Sequence, residues 1–258
     1  MSDGPLAGCG VLITRPAHQS RELAAAIGAA GGKVVRFPVL EIVGRDVADI
    51  RNDLAGLATP DIVVFISSNA VTHGFAALRE SNAQLAAVGP TTRDALEALG
   101  ATVNITPVGA FDSEHLLQHA ALQNPGGRNV LIVRGQSGRE LLAETLTARG
   151  ANVDYLCAYR REPYPHTAAE IDSLESRLRE GAVQYVTIMS VESMQQLLRI
   201  LPSRCLPLLR QSALVAPSAR VLRKASELLP GVSTVLAADP QAAAIVAALI
   251  RQWRNGQN

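Results

Sequence analysis

The sequence predicts an α/β protein made of two similar, mostly parallel sheets covered by helices and derived from an internal duplication. Three observations carry this. Apolar β-rich runs alternate with helical periodicity along all 258 residues, the pattern of parallel strands joined by helices. Ten such runs divide five and five between the halves. The halves also match residue by residue.

In the first half the runs are Val11–Arg15, Lys33–Leu40, Ile62–Ser67, Gln84–Gly89 and Thr102–Pro107. In the second they are Asn129–Arg134, Asn152–Arg160, Gln184–Met189, Ala213–Pro217 and Ser233–Ala238. Between them lie apolar residues at helical spacing, such as Met194, Leu197, Leu198, Leu201 and Val221, Leu222, Ala225, Leu228, Leu229, each set suited to cover one sheet face. Aligning Gly10–Glu41 with Asn129–Arg161 pairs Arg15 with Arg134 and brings Arg21-Glu22-Leu23 close to Arg139-Glu140-Leu141. Further on, Ser67 pairs with Ser190, Pro90 with Pro217, Thr91 with Ser218, Arg93 with Arg220 and Asp112 with Asp239. A repeat carried through the whole chain implies two copies of one supersecondary plan.

The second run of each half is longer than its neighbours, and Pro38, which cannot donate to a sheet ladder, interrupts the first of them. Such strands suit a bridge between two bodies. If both leave one domain and enter the other, each sheet is completed from both halves and the N-terminal domain is discontinuous.

Composition narrows the function. The 24 basic and 23 acidic residues nearly cancel, so no single-signed field marks a nucleic-acid or membrane partner. Met1–Gly10 has no basic start followed by an apolar core, and the longest apolar run, Ala242–Ile250, is too short to span a bilayer. A cytoplasmic monomer is expected. Cys9, Cys157 and Cys205 are far apart and without CxxC spacing, so they read as buried or idle thiols.

In open α/β sheets, ligands bind beyond the carboxyl ends of the strands. There the sequence places Arg15-Pro16 and Arg134-Gly135, Ser67-Ser68-Asn69 and Ser190-Val191-Glu192, Pro90-Thr91-Thr92 and Pro217-Ser218. Ser, Thr and Asn cap first turns, Pro suits the first position, and the remaining N–H groups favour an anion. The same hydroxyls serve equally as plain N-caps, and duplication copies caps as readily as sites. Arg15 and Arg134 each end an apolar strand and need water, a carboxylate or a ligand. Arg93, Arg139 and Arg220, in helix openings, read as solvated.

GxGxxG, GxxxxGK[ST], HExxH and GxSxG are absent from the sequence. Gly31-Gly32-Lys33 superficially matches part of a phosphate loop, but Lys33 opens a strand. His115 and His119, one helical turn apart near Asp112, lack a third metal ligand in register and read as a solvated helix face. With no metal, nucleotide or nucleophile indicated, positioning and electrostatics have to carry any catalysis.

The matched segments resemble the uroporphyrinogen-III synthase family along essentially the whole chain. The resemblance rests on Ile13-Thr14-Arg15-Pro16, Phe65-Ile66-Ser67-Ser68-Asn69-Ala70-Val71, Ala87-Val88-Gly89-Pro90-Thr91-Thr92 and Arg134-Gly135 with Gly138-Arg139. It continues through Gly150-Ala151, Val153, Tyr159-Arg160 and Ser190. Ala216-Pro217-Ser218, where the family often has Gly-Pro-Thr, and Val191-Glu192-Ser193 depart from it.

The resemblance implies two flavodoxin-like domains joined by a two-stranded β linker, with a cleft between them. It places one discontinuous domain at 1–36 and 163–258, the other at 43–156, and the linker strands at 37–42 and 157–162. It implies conversion of hydroxymethylbilane to uroporphyrinogen III with inversion of the last pyrrole ring, loss of water and no cofactor. Arg15, Ser67, Ser68, Asn69, Thr91, Thr92, Arg134, Gly135, Ser190, Pro217 and Ser218 would then hold the carboxylate-rich tetrapyrrole. Tyr159 matches a tyrosine that the family places at the linker edge, where a neutral phenol can assist the departing hydroxyl; an aromatic packed at a domain junction is the alternative. The rival functions are a two-lobed small-ligand binding module without catalysis and, less favoured, a nucleotide-using transferase.

Overall fold

The computed structural model describes residues 4–138 and 140–256. Met1–Asp3, Gln257, Asn258 and Arg139, one of the three arginines expected at helix openings, lie outside the described residues. Among the described residues the chain begins β1 (Gly10–Ile13), α1 (Arg21–Ala29), β2 (Lys33–Arg36), β3 (Leu40–Gly44), α2 (Val47–Ala55), β4 (Ile62–Phe65) and α3 (Ser68–Leu78). It continues β5 (Gln84–Ala87), α4 (Pro90–Glu97), β6 (Val103–Ile105), α5 (Ser113–Leu116), α6 (Ala120–Gln123), β7 (Asn129–Gly135), α7 (Leu141–Ala148) and β8 (Asn152–Pro163). Then follow α8 (Ala168–Arg179), β9 (Tyr185–Thr187), α9 (Val191–Ile200), α10 (Leu206–Leu209), β10 (Ala213–Ala216), α11 (Ala219–Leu228), β11 (Ser233–Leu236) and α12 (Ala242–Asn255).

The chain divides into two compact units. One comprises the segments up to Glu41 and from Glu162, the other Ile42–Arg161. The first unit holds a sheet of order β11-β10-β9-β1-β2 with every neighbouring pair parallel. The second holds β3-β8-β7-β4-β5-β6, parallel from β8 to β6. Beside β8, β3 runs the opposite way: Arg45 N–H donates to Ala158 O while Tyr164 N–H donates to Val39 O.

Counted from β1, the first unit has spatial order 2-1-3-4-5, the flavodoxin-like order. The second unit has the same order when β7 and β8 are taken first and β4, β5 and β6 follow. Each sheet therefore combines strands from both sequence repeats, and the second unit is a circular permutation of the first. Among the described residues, eleven strands replace the expected ten because Lys33–Leu40 breaks at Phe37-Pro38-Val39: β2 joins the first sheet and β3 the second. Phe37 N–H and Val39 N–H still donate to Ile13 O and Thr14 O, so the missing N–H of Pro38 falls on the unpaired side of the edge strand and costs no bond to β1.

Strands such as Val11–Ile13 and Ile62–Phe65 are buried throughout, as parallel strands covered on both faces must be. Alternate residues feed opposite cores in each unit. Leu12, Val186, Ile188 and Leu214 pack under Leu197 and Leu222, whereas Val11, Ile13 and Val215 pack under Ile27 and Ile245. In the second unit Val63, Phe65 and Leu131 face Phe75 and Leu96, while Ile62, Val64 and Ile132 face Leu142 and Leu146. Matched glycines close matched helices. Gly31 (φ 86°) and Gly150 (φ 85°) follow α1 and α7 in the left-handed conformation that ends a helix, so the Gly31-Gly32-Lys33 segment is a helix stop.

Candidate active site

In a 2-1-3-4-5 sheet the order reverses between strands 1 and 3, and the loops diverging there leave a crevice. In the first unit this point lies between β1 and β9, in the second between β7 and β4. Hydroxyls tie the first of them: buried Thr14 Oγ1 donates to Thr187 O at 2.6 Å, and Thr187 Oγ1 to Leu12 O at 3.2 Å.

The switch point of the second unit gathers the most chemistry. Register shifts between Arg134 and Gly135: Arg134 stands opposite Cys157 but Gly135 opposite Tyr159. The slip upsets the alternation of β8, so Ala158 and Tyr159 enter the same core cluster with Phe65 and Phe75. Tyr159 is 3% exposed. Its hydroxyl lies 3.3 Å from Ser67 Oγ, and Ser67 Oγ also accepts from Ala70 N as the N-cap of α3. Gly135 is where a side chain cannot fit, because a Cβ there would stand 2.8 Å from Tyr159 Cε2 and 2.9 Å from Cζ. Ser68 and Asn69 form the first turn of α3, half-buried, and Ser68 O accepts from Thr72 Oγ1.

Arg134 is held within its own chain. Both terminal nitrogens donate to Glu140 Oε1 at 3.0 Å, and its guanidinium carbon sits 4.2 Å from the centre of the Tyr155 ring. The Tyr155 hydroxyl completes the triad by donating to Glu140 Oε2. Burial first, then the hydrogen bond to Glu140, pushes the Tyr155 phenol up to about 12, and the Arg134 bonds hold the Glu140 carboxyl below its ordinary range. Glu140 and Tyr155 escaped the sequence reading. A signal existed: the repeat sets a glutamate after each strand-end arginine, and Glu22 acts electrostatically on Arg15.

In the first unit Arg15 donates to Pro240 O and to Met189 Sδ, while its buried Nε has no partner. Burial, partly offset by Glu22, lowers its pKa. Ser190 caps α9 by accepting from Ser193 N at 3.0 Å and meets Ser193 Oγ at 2.9 Å. Ser218 occupies the N-cap of α11 without a side-chain cap bond, after half-buried Pro217. Thr91 and Thr92 are not caps. Gly89 is the N-cap of α4 and Pro90 its first residue, leaving Thr91 exposed and Thr92 buried in the first turn. Arg93 pairs with Asp94 on the surface, and Arg220 is exposed.

His115 and His119 do not share one helix face. Asp112 caps α5 and binds His115 Nδ1 at 2.6 Å, while His119 caps α6 through its own Nδ1. Two competing caps break the chain into separate short helices.

Fold and loops define the class: a duplicated flavodoxin-like α/β protein whose polar side chains collect at the switch points of both sheets. Known proteins narrow this further. The family model described as uroporphyrinogen-III synthase HemD matches residues 21–247. The uroporphyrinogen-III synthase of Escherichia coli strain K12 is 33% identical over 199 residues, 74% of this chain and 80% of that protein. That of Salmonella typhimurium strain LT2 is 35% identical over 201 residues, with the same shares covered. The crystal structure of uroporphyrinogen-III synthetase from Helicobacter pylori 26695 shares the fold at TM-score 0.63 and 13% identity, covering 95% of this chain and 99% of that one. A mutant synthase from the extremely thermophilic bacterium Thermus thermophilus gives TM-score 0.61 at 20% identity, covering 96% and 99%. The chain belongs to the uroporphyrinogen-III synthase family. Among the described residues, no helix is long and apolar enough to cross a membrane.

Proposed function

We propose that the chain closes hydroxymethylbilane to uroporphyrinogen III, inverting the last pyrrole ring and losing water, as a cytoplasmic monomer without a cofactor. One observation carries the reading: the family match spans residues 21–247 and so takes in the whole second-unit switch point and the β9 side of the first.

In this reading the substrate's own pyrrole expels the hydroxyl, and the protein selects one fold of the chain. The Tyr159 phenol, 3.3 Å from Ser67 Oγ, donates a hydrogen bond or proton toward the departing hydroxyl, with Ser67 aligning it. First-turn N–H groups at Ser68-Asn69, Thr91-Thr92 and the turns capped by Ser190 and following Pro217-Ser218 receive carboxylates. Arg134 trades Glu140 for a substrate carboxylate, Arg15 turns from Pro240 to another, and Gly135 keeps the space that lets Tyr159 reach Ser67. Domain limits at 1–36 with 163–258 and at 43–156, with linker strands 37–42 and 157–162, belong to the same proposal. The burial of Tyr159 favours one second reading, in which the ring only packs.

The test is to supply fresh hydroxymethylbilane and identify the uroporphyrin isomer after oxidation. Type III in excess of the spontaneous type I supports the proposal. Saturable binding with type I product alone returns the protein to the class of binding modules.

A further inference from the structure

Away from the switch-point loops, the first unit contains a cavity of about 530 Å³, within the roughly 300–1,000 Å³ span of small-ligand sites. It lies between the edge strand β2 with Phe37-Pro38 on one side and α8 on the other.

One wall is a stack of rings. The His166 imidazole is parallel to Phe37, centroids 3.7 Å apart and planes 5° apart, and Tyr164 is 4.8 Å from His166. His166 is fixed there, its side chain 3% exposed and its Nε2 donating to Pro38 O at 2.7 Å. At the cavity also stand Arg36 and Arg177, exposed, and neither forms an ion pair among the described residues. The carboxylate in the lining, Glu170, is already engaged. Its Oε2 accepts from Thr167 N and Oγ1 in the capping box of α8, and those bonds hold its pKa below the ordinary value.

A net positive cavity walled by the half-buried Tyr164 ring, which the buried Phe37–His166 stack holds rigid, suits a flat ring that packs against Tyr164 and an acid group that the arginines grip in fork geometry. We propose that this cavity binds a planar aromatic or heteroaromatic carboxylate. The ligand is either a free monocyclic acid or one carboxylated pyrrole ring of the tetrapyrrole; the second source rests on the proposed function, the cavity's chemistry does not.

Pyrrole-2-carboxylate, with neutral pyrrole-2-carboxamide as control, is titrated into the whole protein and followed by amide NMR. The expected result is saturable shifts in β2 and α8 from the acid only, weakened at least tenfold in R36A/R177A and partly restored in R36K/R177K. Both arginines are exposed, so the variants should melt as the parent does, and a melting curve checks it. Absence of saturation, equal response to the carboxamide, or equal affinity in R36A/R177A overturns the proposal. Hydroxymethylbilane kinetics on the same variant then assign the source: a raised KM identifies a ring of the tetrapyrrole, an unchanged KM a free acid. The titration reads binding directly, so a protein without synthase activity still tests the cavity.

Discussion

At the scale of single residues, Tyr159 and Gly135 form one device. A residue lacking a side chain at 135 lets the phenol ring cross its backbone and reach Ser67. Tyr159→Phe removes the hydroxyl and keeps the ring, so turnover should fall by roughly a hundredfold or somewhat more while the type III isomer and the melting point persist. Unchanged turnover would assign Tyr159 to packing. Gly135→Ala drives a methyl against the ring, and overpacking of this kind costs about 1–3 kcal/mol; the melting curve should move down with activity. A third variant questions Glu140. If Arg134 exchanges this carboxylate for one of the substrate's, Glu140→Gln should lower KM, whereas an unchanged KM marks the Arg134–Glu140–Tyr155 triad as structural. Ser67 and Ser190 were legible in the sequence because capping is local chemistry. The Gly135–Tyr159 pairing was not, since it depends on a register shift between strands that no single segment encodes.

Elements tell a similar story at larger spacing. Apart from Lys33–Leu40, which divides between the two sheets, each expected strand is present with ends trimmed or extended by a few residues, because periodicity marks the buried middle while hydrogen bonding decides the termini. Thr91 and Thr92 illustrate the gap: a hydroxyl after a strand suggested caps, yet Gly89 and Pro90 already opened α4. A pH effect belongs at this scale. Glu175 on α8, 7% exposed at the side chain, receives Arg179 at 2.6 Å and Arg204 at 2.8 Å and thereby joins α8 to the Ser203–Cys205 turn. Burial alone would raise its pKa, but the two arginines outweigh it and the net shift is downward from 4.5. A carboxylate depressed in the folded state contributes stability that is complete above its unfolded value and lost as pH falls through the folded one. Glu175→Gln should therefore melt below the parent at neutral pH, with the difference shrinking in acid below about pH 4. Equal melting points at pH 7 would show that the bridges contribute nothing net.

For the whole molecule, the exchange of strands between repeats decides what can be separated. The second unit is continuous, Ile42–Arg161, and contains most of β3 through most of β8, both faces of its core, and the Tyr159–Ser67–Gly135 device. The sequence showed the duplication and two bridging strands, but the permutation emerges only from sheet order, since strand neighbours are not written in local pattern. Because each unit has its own two-sided core, each should fold alone. The fragment 42–161 should unfold in one cooperative transition with native near-ultraviolet dichroism. For the first unit the break must be rejoined, and Tyr164 N–H already meets Val39 O, so a few glycines and serines in place of the intervening segment suffice to reconnect it. Neither piece should convert hydroxymethylbilane, because each carries only one of the two switch points. A fragment 42–161 that binds hydrophobic dye and melts without cooperativity would show that the second core depends on the rest of the chain. Type III product from either piece alone would end the proposal that both sets of loops hold the substrate.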